Sequence, residues 1–366
     1  MEKRTGSYIS SRDQKYLEKL KLEVLPFLPD FCNDFFVGIG MNTTVLTRFN
    51  YATDLRTFFY YLTSSDGPFS GMSGNQIRLE DINKLKSRDI ERYLAFLDGY
   101  YSPLNNVYRH DSDSAKARKF CSVRALFRYL YINEMINQNV TLRVSMPKIR
   151  EKAIIHLDNE EVSDIFDCLS VEDSFGDTRQ NTYNQNNTKV RDTAIITLLL
   201  NTGIRVSECV GLNVDDINFK SRSFIVSRKG GKQAILYFND EVDKALSDYL
   251  IFREELIKNK HIDPSNVVAL FLSTQMKRIS VRAVELVVKK YVAQTDCLKK
   301  ITPHKLRSTY GTALYKETKD IYVVAEVLGH KDINTTKKHY AAISDDIIKS
   351  ATDKVSFGNH FDDKPL

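Results

Sequence analysis

Five short, widely separated segments in the second half of the chain carry side chains that could act together in one reaction. They are TGIRVSE, RKGGK, HKLR, LGH and NTTKKHY. Taken singly each is ordinary, since a Gly-Gly turn flanked by lysines, for example, is common hairpin chemistry. In chain order, the polar groups that these segments supply are Arg205, Lys229, His304, Arg307, His330 and Tyr340.

Two of these side chain types suit attack on a phosphodiester without help from a metal ion. The guanidinium groups of Arg205 and Arg307 stay charged, and each can direct two donors onto phosphate oxygens as negative charge develops there. Tyr340 offers a nucleophile, although a phenol ordinarily has a pKa of about 10 and must lose its proton as it attacks. The chain has no carboxylate cluster that we would assign to two-metal catalysis, so we expect no metal site and no other cofactor.

A run of predicted helices, interrupted by a small sheet, must position these groups. Residues 190–200 predict a buried helix that ends at the Asn-Thr-Gly sequence of 201–203, and a second helix begins near Val206. The segments INF, SFIVS and AILYF alternate as strands do, and the Gly-Gly pair between the last two predicts a hairpin. Helices return from Asp240 to about residue 350, whereas the polar tract DTRQNTYNQNNTKV predicts a surface loop.

The first 150 residues predict an almost wholly helical domain. Residues 114–133 form its clearest amphipathic helix. The apolar stripe of that helix consists of Phe120, Val123, Phe127 and Leu130. Residues 143–157 contain a proline and lack helical periodicity, so we interpret them as a linker to a second domain that opens with the acidic sequence DNEE.

Length and composition exclude several classes of protein. The chain has 366 residues, which is enough for two or three domains, and its 42% apolar content excludes wholesale disorder. Its apolar runs fall short of the ~20 residues of a membrane helix, and its start lacks a signal peptide, so we expect a cytoplasmic protein. Five cysteines without a CxxC pair favour buried thiols over disulfides or a zinc site. A net charge of +6 permits a nucleic-acid partner without requiring one.

The order and spacing of the five segments resemble the tyrosine recombinase (phage integrase) family. The sequence RDTAIITLLLNTGIRVSECVGLNVDDINF is similar to the first conserved box of that family, and LGHKDINTTKKHYAAI is similar to the second. The resemblance to the catalytic domain covers about residues 158–350. Residues 42–149 resemble the core-binding domain in pattern only. The absence of a further arm-binding domain before residue 40 favours a Xer-like or mobile-element recombinase.

The resemblance implies a role for each group in the constellation. Tyr340 would form a 3′-phosphotyrosyl link to DNA and release a 5′-hydroxyl, with no need for metal or ATP. Lys229 would protonate the leaving 5′-oxygen. His304 would act as a base or proton relay. His330 would hydrogen-bond the phosphate or orient its neighbours.

The resemblance also implies a mainly α fold in two domains. Residues 1–150 would be an all-helical, SAM-like core-binding domain. Residues 151–356 would be the catalytic domain, mostly helical with a small three-stranded antiparallel sheet. Residues 357–366 would form a mobile tail.

Several positions depart from the family pattern or leave a choice open. The turn of the family often reads Lys-Gly-x-Lys-x-Arg, and Ala234 stands here where that arginine would be. Lys232 is a rival to Lys229 as the general acid. His339 lies beside the nucleophile, but we interpret it as an exposed helix residue. Glu208 more plausibly positions Arg205 or caps a helix than reacts.

The expected partner is double-stranded DNA with an inverted-repeat target site. The resemblance implies a tetramer on two such sites, with a C-terminal helix at about 345–355 docked on a neighbour and with a possible accessory protein. Four basic side chains on predicted helices of the first domain could contact phosphates, although a solvated basic face would look the same. They are Arg48, Arg118, Lys119 and Arg124.

These observations predict a site-specific recombinase for DNA integration, excision or resolution. Two alternatives stay open from sequence alone. The first keeps the chemistry but changes the outcome, as in a type IB-like nicking-closing enzyme. The second is a DNA-binding or architectural protein on the same scaffold that has no catalytic activity. The presence of competent residues at all the catalytic positions argues against this second alternative.

Overall fold

The computed structural model describes residues 6–149, 155–170, 179–228, 232–259, 263–330, 332, 333 and 336. The chain is mostly helical and divides into two compact units, Met1–Lys152 and Ala153–Leu366. Among the described residues, none of the helices combines the length and the apolar character needed to span a bilayer.

The first unit consists of six α-helices with short 3-10 and π turns between them, as far as its described residues show. The helices are α1 (Gly6–Lys19), α2 (Phe31–Gly38), α3 (Val45–Thr63), α4 (Leu79–Lys84), α5 (Ser87–Phe96) and α6 (Asp113–Ile132). A π turn covers Leu20–Val24, and 3-10 turns cover Leu25–Phe27, Gly74–Gln76 and Val140–Arg143.

The core of this unit forms where α3 packs against α6. Helix α3 begins where the Thr44 side chain accepts a hydrogen bond from the backbone N–H of Thr47 at 3.2 Å. The predicted stripe of α6 is fully buried, which confirms the amphipathic pattern. Phe58 of α3 contacts Phe127 of that stripe edge-on, with ring centroids 6.2 Å apart. Sequence periodicity therefore identified the centre of the first core.

The second unit surrounds a long helix, α8, which packs against both α10 and α13. The helices within its described residues are α7 (Asn159–Ser170), α8 (Arg179–Thr202), α9 (Val206–Cys209), α10 (Asp240–Asn259), α11 (Pro264–Val267), α12 (Val281–Val292), α13 (Pro303–Thr318) and α14 (Ile321–Leu328). A 3-10 turn covers Val214–Asp216. The buried end of α8 places the turn at Gly203 next to α13, which matters for the site described below.

A three-stranded antiparallel sheet follows α9. Its strands are β3 (Ile217–Asn218), β4 (Ser223–Ser227) and β5 (Gln233–Tyr237), in that spatial order, numbered after the two strands of the first unit. Phe224 pairs with Leu236, and both side chains are buried, whereas Ile225 and Ile235 pair on the exposed face. The hairpin predicted from the sequence is confirmed. Its turn at 229–231, which includes Lys229, lies outside the described residues.

Two sequence-based expectations about secondary structure need correction. The polar tract at 177–190 was expected to be a loop, but α8 begins at Arg179. The tract contains no proline or glycine, so extending an existing buried helix through it costs little. The first unit is also not entirely helical, because β1 (Tyr100–Tyr101) and β2 (Tyr108–Arg109) form a short antiparallel pair. Aromatic residues favour such strands, and Asn106 has a φ of 52° in the connection between them.

The cysteines are all free, but they are not all buried. Cys32 and Cys209 are buried, and burial raises the pKa of Cys209 to about 12. Cys121 is exposed because it lies on the polar side of α6, and Cys168 and Cys297 are half-buried. The expectation of five buried thiols was therefore too broad.

An ion pair fixes the start of α7 in the second unit. The side chains of Asp158 and Glu161 each accept the other's backbone N–H at 2.9 Å, which caps the helix. Lys299 then donates to Glu161 Oε2 at 2.5 Å. Burial raises the pKa of Glu161, but the Lys299 ammonium and the Asp158 N–H outweigh burial and lower that pKa to about 2.

The lowered pKa predicts a pH-dependent contribution to stability. The Glu161 carboxylate stabilises the fold above its ordinary pKa of 4.5, and that contribution is lost as the pH falls towards about 2. We expect Glu161→Gln to remove this part of the pH dependence when the free energy of unfolding is measured by urea titration. Glu285→Gln, at an exposed pair with Arg282, is the control and should follow the unchanged protein. Parallel pH curves for Glu161→Gln and the unchanged protein would contradict the assignment.

Candidate active site

The C-terminal end of α14 holds three arginine side chains next to one another. The last carbonyls of a helix have no partner within the helix and carry the negative end of its dipole, so they attract cations. Here three consecutive carbonyls each accept a hydrogen bond from a different guanidinium. The pairs are Arg228 Nη2 to Val327 O at 3.1 Å, Arg307 Nη2 to Leu328 O, and Arg205 Nη2 to Gly329 O at 3.0 Å.

A glycine ends α14 and makes room for this arrangement. Gly329 has a φ of 62°, in the left-handed region that glycine adopts without strain. The N–H of His330 then folds back to the carbonyl of Ala325 at 2.9 Å and closes the helix end. A Cβ at Gly329 would lie 2.1 Å from Nη1 of Arg228. The guanidinium of Arg228 therefore occupies the space that any side chain at 329 would need.

Arg307 ties the end of α14 to the end of α8. Its side chain is buried on α13, and besides Leu328 it donates from Nη1 to the carbonyl of Gly203. Gly203 follows α8 with a φ of 59°, and a Cβ there would lie 2.5 Å from Cδ1 of Tyr310. The glycine of the TGIR sequence thus allows α13 to approach closely enough for Arg307 to reach both carbonyls.

Arg205 is held by Glu208 on the first turn of α9. One carboxylate oxygen of Glu208 accepts the backbone N–H of Arg205 at 3.1 Å, and the other accepts from Nη1 at 2.8 Å. Glu208 is buried, whereas 37% of the Arg205 side chain is exposed. The predicted positioning role of Glu208 matches this geometry. The exposed part of the guanidinium can meet a ligand from solvent.

The two predicted histidines lie on α13 and just after the end of α14, the two helices that Arg307 joins. His304 is exposed on the first turn of α13, one helical turn before Arg307, so the two share a face. His330 follows Gly329 at the end of α14, and its Nδ1 lies 2.8 Å from the hydroxyl of Thr336, which is buried. That contact sets the orientation of the ring. His330 therefore lies at the helix end that holds the arginines, and His304 lies one helical turn before Arg307.

The structure brings together Arg205, Arg307 and His330 of the predicted constellation, with His304 on the turn preceding Arg307. Lys229, His339, Tyr340 and the helix expected at 345–355 lie outside the described residues, as does the tail at 357–366. Lys232, the rival acid, is exposed at the start of the chain leading into β5.

Sequence reasoning missed two side chains of the site. They are Arg228, which precedes the lysine-bearing turn, and Thr336, which contacts His330. The only sequence signal for these two residues was their position, because Arg228 lies in the segment RKGGK and Thr336 lies in the segment NTTKKHY. What they contact depends on tertiary packing, which a pattern in one sequence does not contain.

The four candidate DNA contacts of the first unit differ in their surroundings. Lys119 is buried, and its ammonium is bonded to Asp111 Oδ2 at 2.5 Å and to the hydroxyl of Tyr100. A buried, paired ammonium is not available to a phosphate, so the prediction of Lys119 as a DNA contact is wrong. Arg118 pairs with Asp54 Oδ2 at 2.5 Å, while 54% of its side chain is exposed.

The other two candidates are half-buried. The guanidinium of Arg124 lies 5.3 Å from the ring centroid of Phe120 on the same helix. Arg48 packs near Gly40, and its Nε is buried with no hydrogen-bond partner among the described residues. Arg118 is thus the most accessible of the four.

Comparison with known proteins identifies relatives along nearly the whole chain. The profile of the Phage integrase family matches residues 157–346. The tyrosine recombinase XerC of Caldanaerobacter subterraneus subsp. tengcongensis is 33% identical over 356 residues, which cover 94% of this chain and 90% of that protein. The tyrosine recombinase XerS of Streptococcus uberis is 28% identical over 367 residues, with 94% of this chain and all of that protein covered (100%).

Solved structures share the fold at lower sequence identity. A variant of the Tn1549 transposon integrase, in complex with a circular intermediate DNA, gives a TM-score of 0.60 at 20% identity and covers 89% of this chain and 99% of its own. The XerH recombinase, in a post-cleavage complex with a palindromic difH substrate, gives a TM-score of 0.59 at 16% identity, with 96% and 97% covered. The mainly α fold with a small sheet, as predicted, is confirmed.

The buried bridge made by Arg307 predicts a large effect on stability. Arg307→Met keeps the apolar stem but leaves the carbonyls of Gly203 and Leu328 without their donor, which we expect to cost about 2–4 kcal/mol. Urea unfolding followed by far-UV circular dichroism measures the loss. The control is Arg282→Met, whose side chain is 76% exposed, with an expected change below ~0.5 kcal/mol. Equal small effects of both substitutions would show that Arg307 does not hold the helix ends together.

Proposed function

This chain belongs to the phage integrase family and is a DNA strand-transferring enzyme, and we propose that it cleaves and rejoins double-stranded DNA through a covalent bond to Tyr340. The observation that carries the proposal is the group of arginines held on consecutive carbonyls at the end of α14. A site that concentrates guanidinium charge in this way suits a phosphate whose charge grows during reaction. His330 lies at the same helix end, ten residues before Tyr340 (340 − 330 = 10).

In the proposed step, the phenolic oxygen of Tyr340 attacks phosphorus and the bond from phosphorus to the 5′-oxygen breaks. The phenolic proton passes to His304, and the 5′-oxygen takes a proton from Lys229 of the hairpin turn. The products are a 3′-phosphotyrosyl link and a 5′-hydroxyl. Attack by the 5′-hydroxyl of another strand reverses the step and completes strand exchange.

Arg205 and Arg307 have different parts in this scheme. Arg307 is buried and bonded to two carbonyls, so it adds a fixed positive charge behind the phosphate. Arg205 is partly exposed and faces solvent beside Gly329, so it can donate directly to a non-bridging oxygen. The phosphotyrosyl bond keeps the energy of the phosphodiester. The reaction therefore needs no ATP, and the arginines meet the phosphate charge that a metal ion would otherwise stabilise.

We further propose that four protomers act on two inverted-repeat DNA sites, in the cytoplasm, for integration, excision or resolution. The XerH relative was solved on a palindromic substrate, which supports a symmetric site for this chain. Of the four candidate side chains in the first unit, Arg118 is the most exposed, so it can contact phosphates of such a site. A complex of two sites with a number of protomers other than four would contradict this arrangement.

The proposed nucleophile predicts loss of a covalent intermediate in Tyr340→Phe. The protein is incubated with a nicked duplex that carries a site selected by binding, so that the cleaved fragment diffuses away and the adduct accumulates. A protease-sensitive shifted band on a denaturing gel is expected from the unchanged protein and also when EDTA is present. Tyr340→Phe should give no band while still binding DNA, because it lacks the attacking oxygen.

A matched control uses an exposed tyrosine at the start of α14. Tyr322 on α14 is 65% exposed, so Tyr322→Phe should form the adduct at the normal rate. An adduct in Tyr340→Phe would refute the nucleophile assignment. DNA binding without any adduct from the unchanged protein would favour the architectural alternative, and relaxation of a paired-site plasmid without recombinants would favour a nicking-closing enzyme.

A further inference from the structure

Arg228 belongs to the group of arginines at the end of α14, yet the reaction described above does not use it. The residue follows β4 directly and precedes the turn at 229–231. Its guanidinium reaches away from the sheet and donates from Nη2 to the carbonyl of Val327 at 3.1 Å. Arg228 therefore connects the hairpin to the helix end at which Arg205 and Arg307 are held.

The backbone of Arg228 also closes the hairpin. Its N–H donates to the carbonyl of Lys232 at 2.7 Å, so the residues on both sides of the turn are joined at its base. Consecutive Cα atoms are about 3.8 Å apart, so the position of residue 228 limits where Lys229 can lie. Anchoring the side chain of Arg228 on α14 thereby sets the point from which the lysine-bearing turn leaves the sheet.

Fold stability alone is a poor explanation for this placement. The Nε of Arg228 is buried and has no hydrogen-bond partner among the described residues, which offsets much of what the bond to Val327 gains. The guanidinium also lies against Gly329, whose carbonyl already accepts from Arg205. Placing two cations against one residue is unfavourable, and the carboxylate of Glu208 offsets this cost from the Arg205 side.

We infer that Arg228 is a positioning residue. By anchoring the base of the β4–β5 hairpin at the end of α14, it allows a lysine of that hairpin to protonate the leaving 5′-oxygen. The inference rests on the proposed function and adds to it a link between hairpin and helix. Arg228 itself need not touch the DNA. The consequence is that loss of its side chain should impair proton delivery to the leaving group, and leave phosphate binding and nucleophilic attack intact.

A change of leaving group separates this role from a merely structural one. Single-turnover cleavage is measured on a nicked duplex with an ordinary scissile phosphate and on one with a 5′-bridging sulfur, which leaves as a thiolate without a proton. We expect Arg228→Ala to slow cleavage of the ordinary duplex roughly 10- to 100-fold, because small misplacements of a catalytic group have such effects. Cleavage of the sulfur duplex should be within about threefold of the unchanged protein.

Four further variants make the comparison specific. Arg222 lies at the other end of β4, where it pairs with Asp240 and Asp243, so Arg222→Ala tests for a general loosening of the sheet. That variant should cleave both duplexes within about twofold of the unchanged protein. Arg228→Lys keeps one donor that can reach Val327 and should fall between the unchanged protein and Arg228→Ala. Lys229→Ala and Lys232→Ala identify which lysine delivers the proton.

The outcomes separate the inference from the assignment on which it rests. If the sulfur duplex rescues Arg228→Ala and one lysine variant, the result supports both the positioning role of Arg228 and the lysine as general acid. Efficient cleavage of that duplex by Arg228→Ala also shows that this variant is folded. Rescue of a lysine variant without rescue of Arg228→Ala overturns the positioning role and leaves the acid in place. If neither lysine variant is rescued, the turn does not deliver the proton and the inference falls with that assignment.

Discussion

The site depends on carbonyl groups that α14 cannot satisfy by itself. A helix leaves its last carbonyls without internal partners, and here three in succession are satisfied by guanidiniums that come from three other parts of the second unit. Arg205 comes from the start of α9, Arg307 from α13 and Arg228 from the edge of the β4–β5 hairpin. One helix end therefore fixes the relative positions of elements that are distant in sequence.

The choice of carbonyls as partners matters electrostatically. A guanidinium bonded to a neutral carbonyl keeps its full charge, whereas a carboxylate partner offsets part of that charge before a ligand arrives. Glu208 holds Arg205 by one edge and caps α9 at the same time, so positioning and partial neutralisation come from one residue. Because Arg307 is buried and already oriented, it needs no rearrangement when charge develops on the phosphate.

Sequence reasoning succeeded where local rules decide the structure. Strand alternation around a Gly-Gly turn predicted β4 and β5, and the TGIR sequence predicted the turn that Gly203 makes with its φ of 59°. It failed where tertiary packing decides. The burial of Lys119 against Asp111 depends on how α6 meets the β1–β2 pair, and the placement of Arg228 depends on a missing side chain at Gly329. No periodicity or spacing records either contact.

The measurement that tests the central claim most directly removes charge from the phosphate rather than from the protein. Single-turnover cleavage by the unchanged protein and by Arg205→Ala is compared on an ordinary duplex and on one with a neutral methylphosphonate at the scissile position. If the arginines on the α14 carbonyls act by meeting phosphate charge, Arg205→Ala should lose ~10²–10³-fold on the ordinary duplex and less than about tenfold on the neutral one. An equal loss on both duplexes would contradict the account.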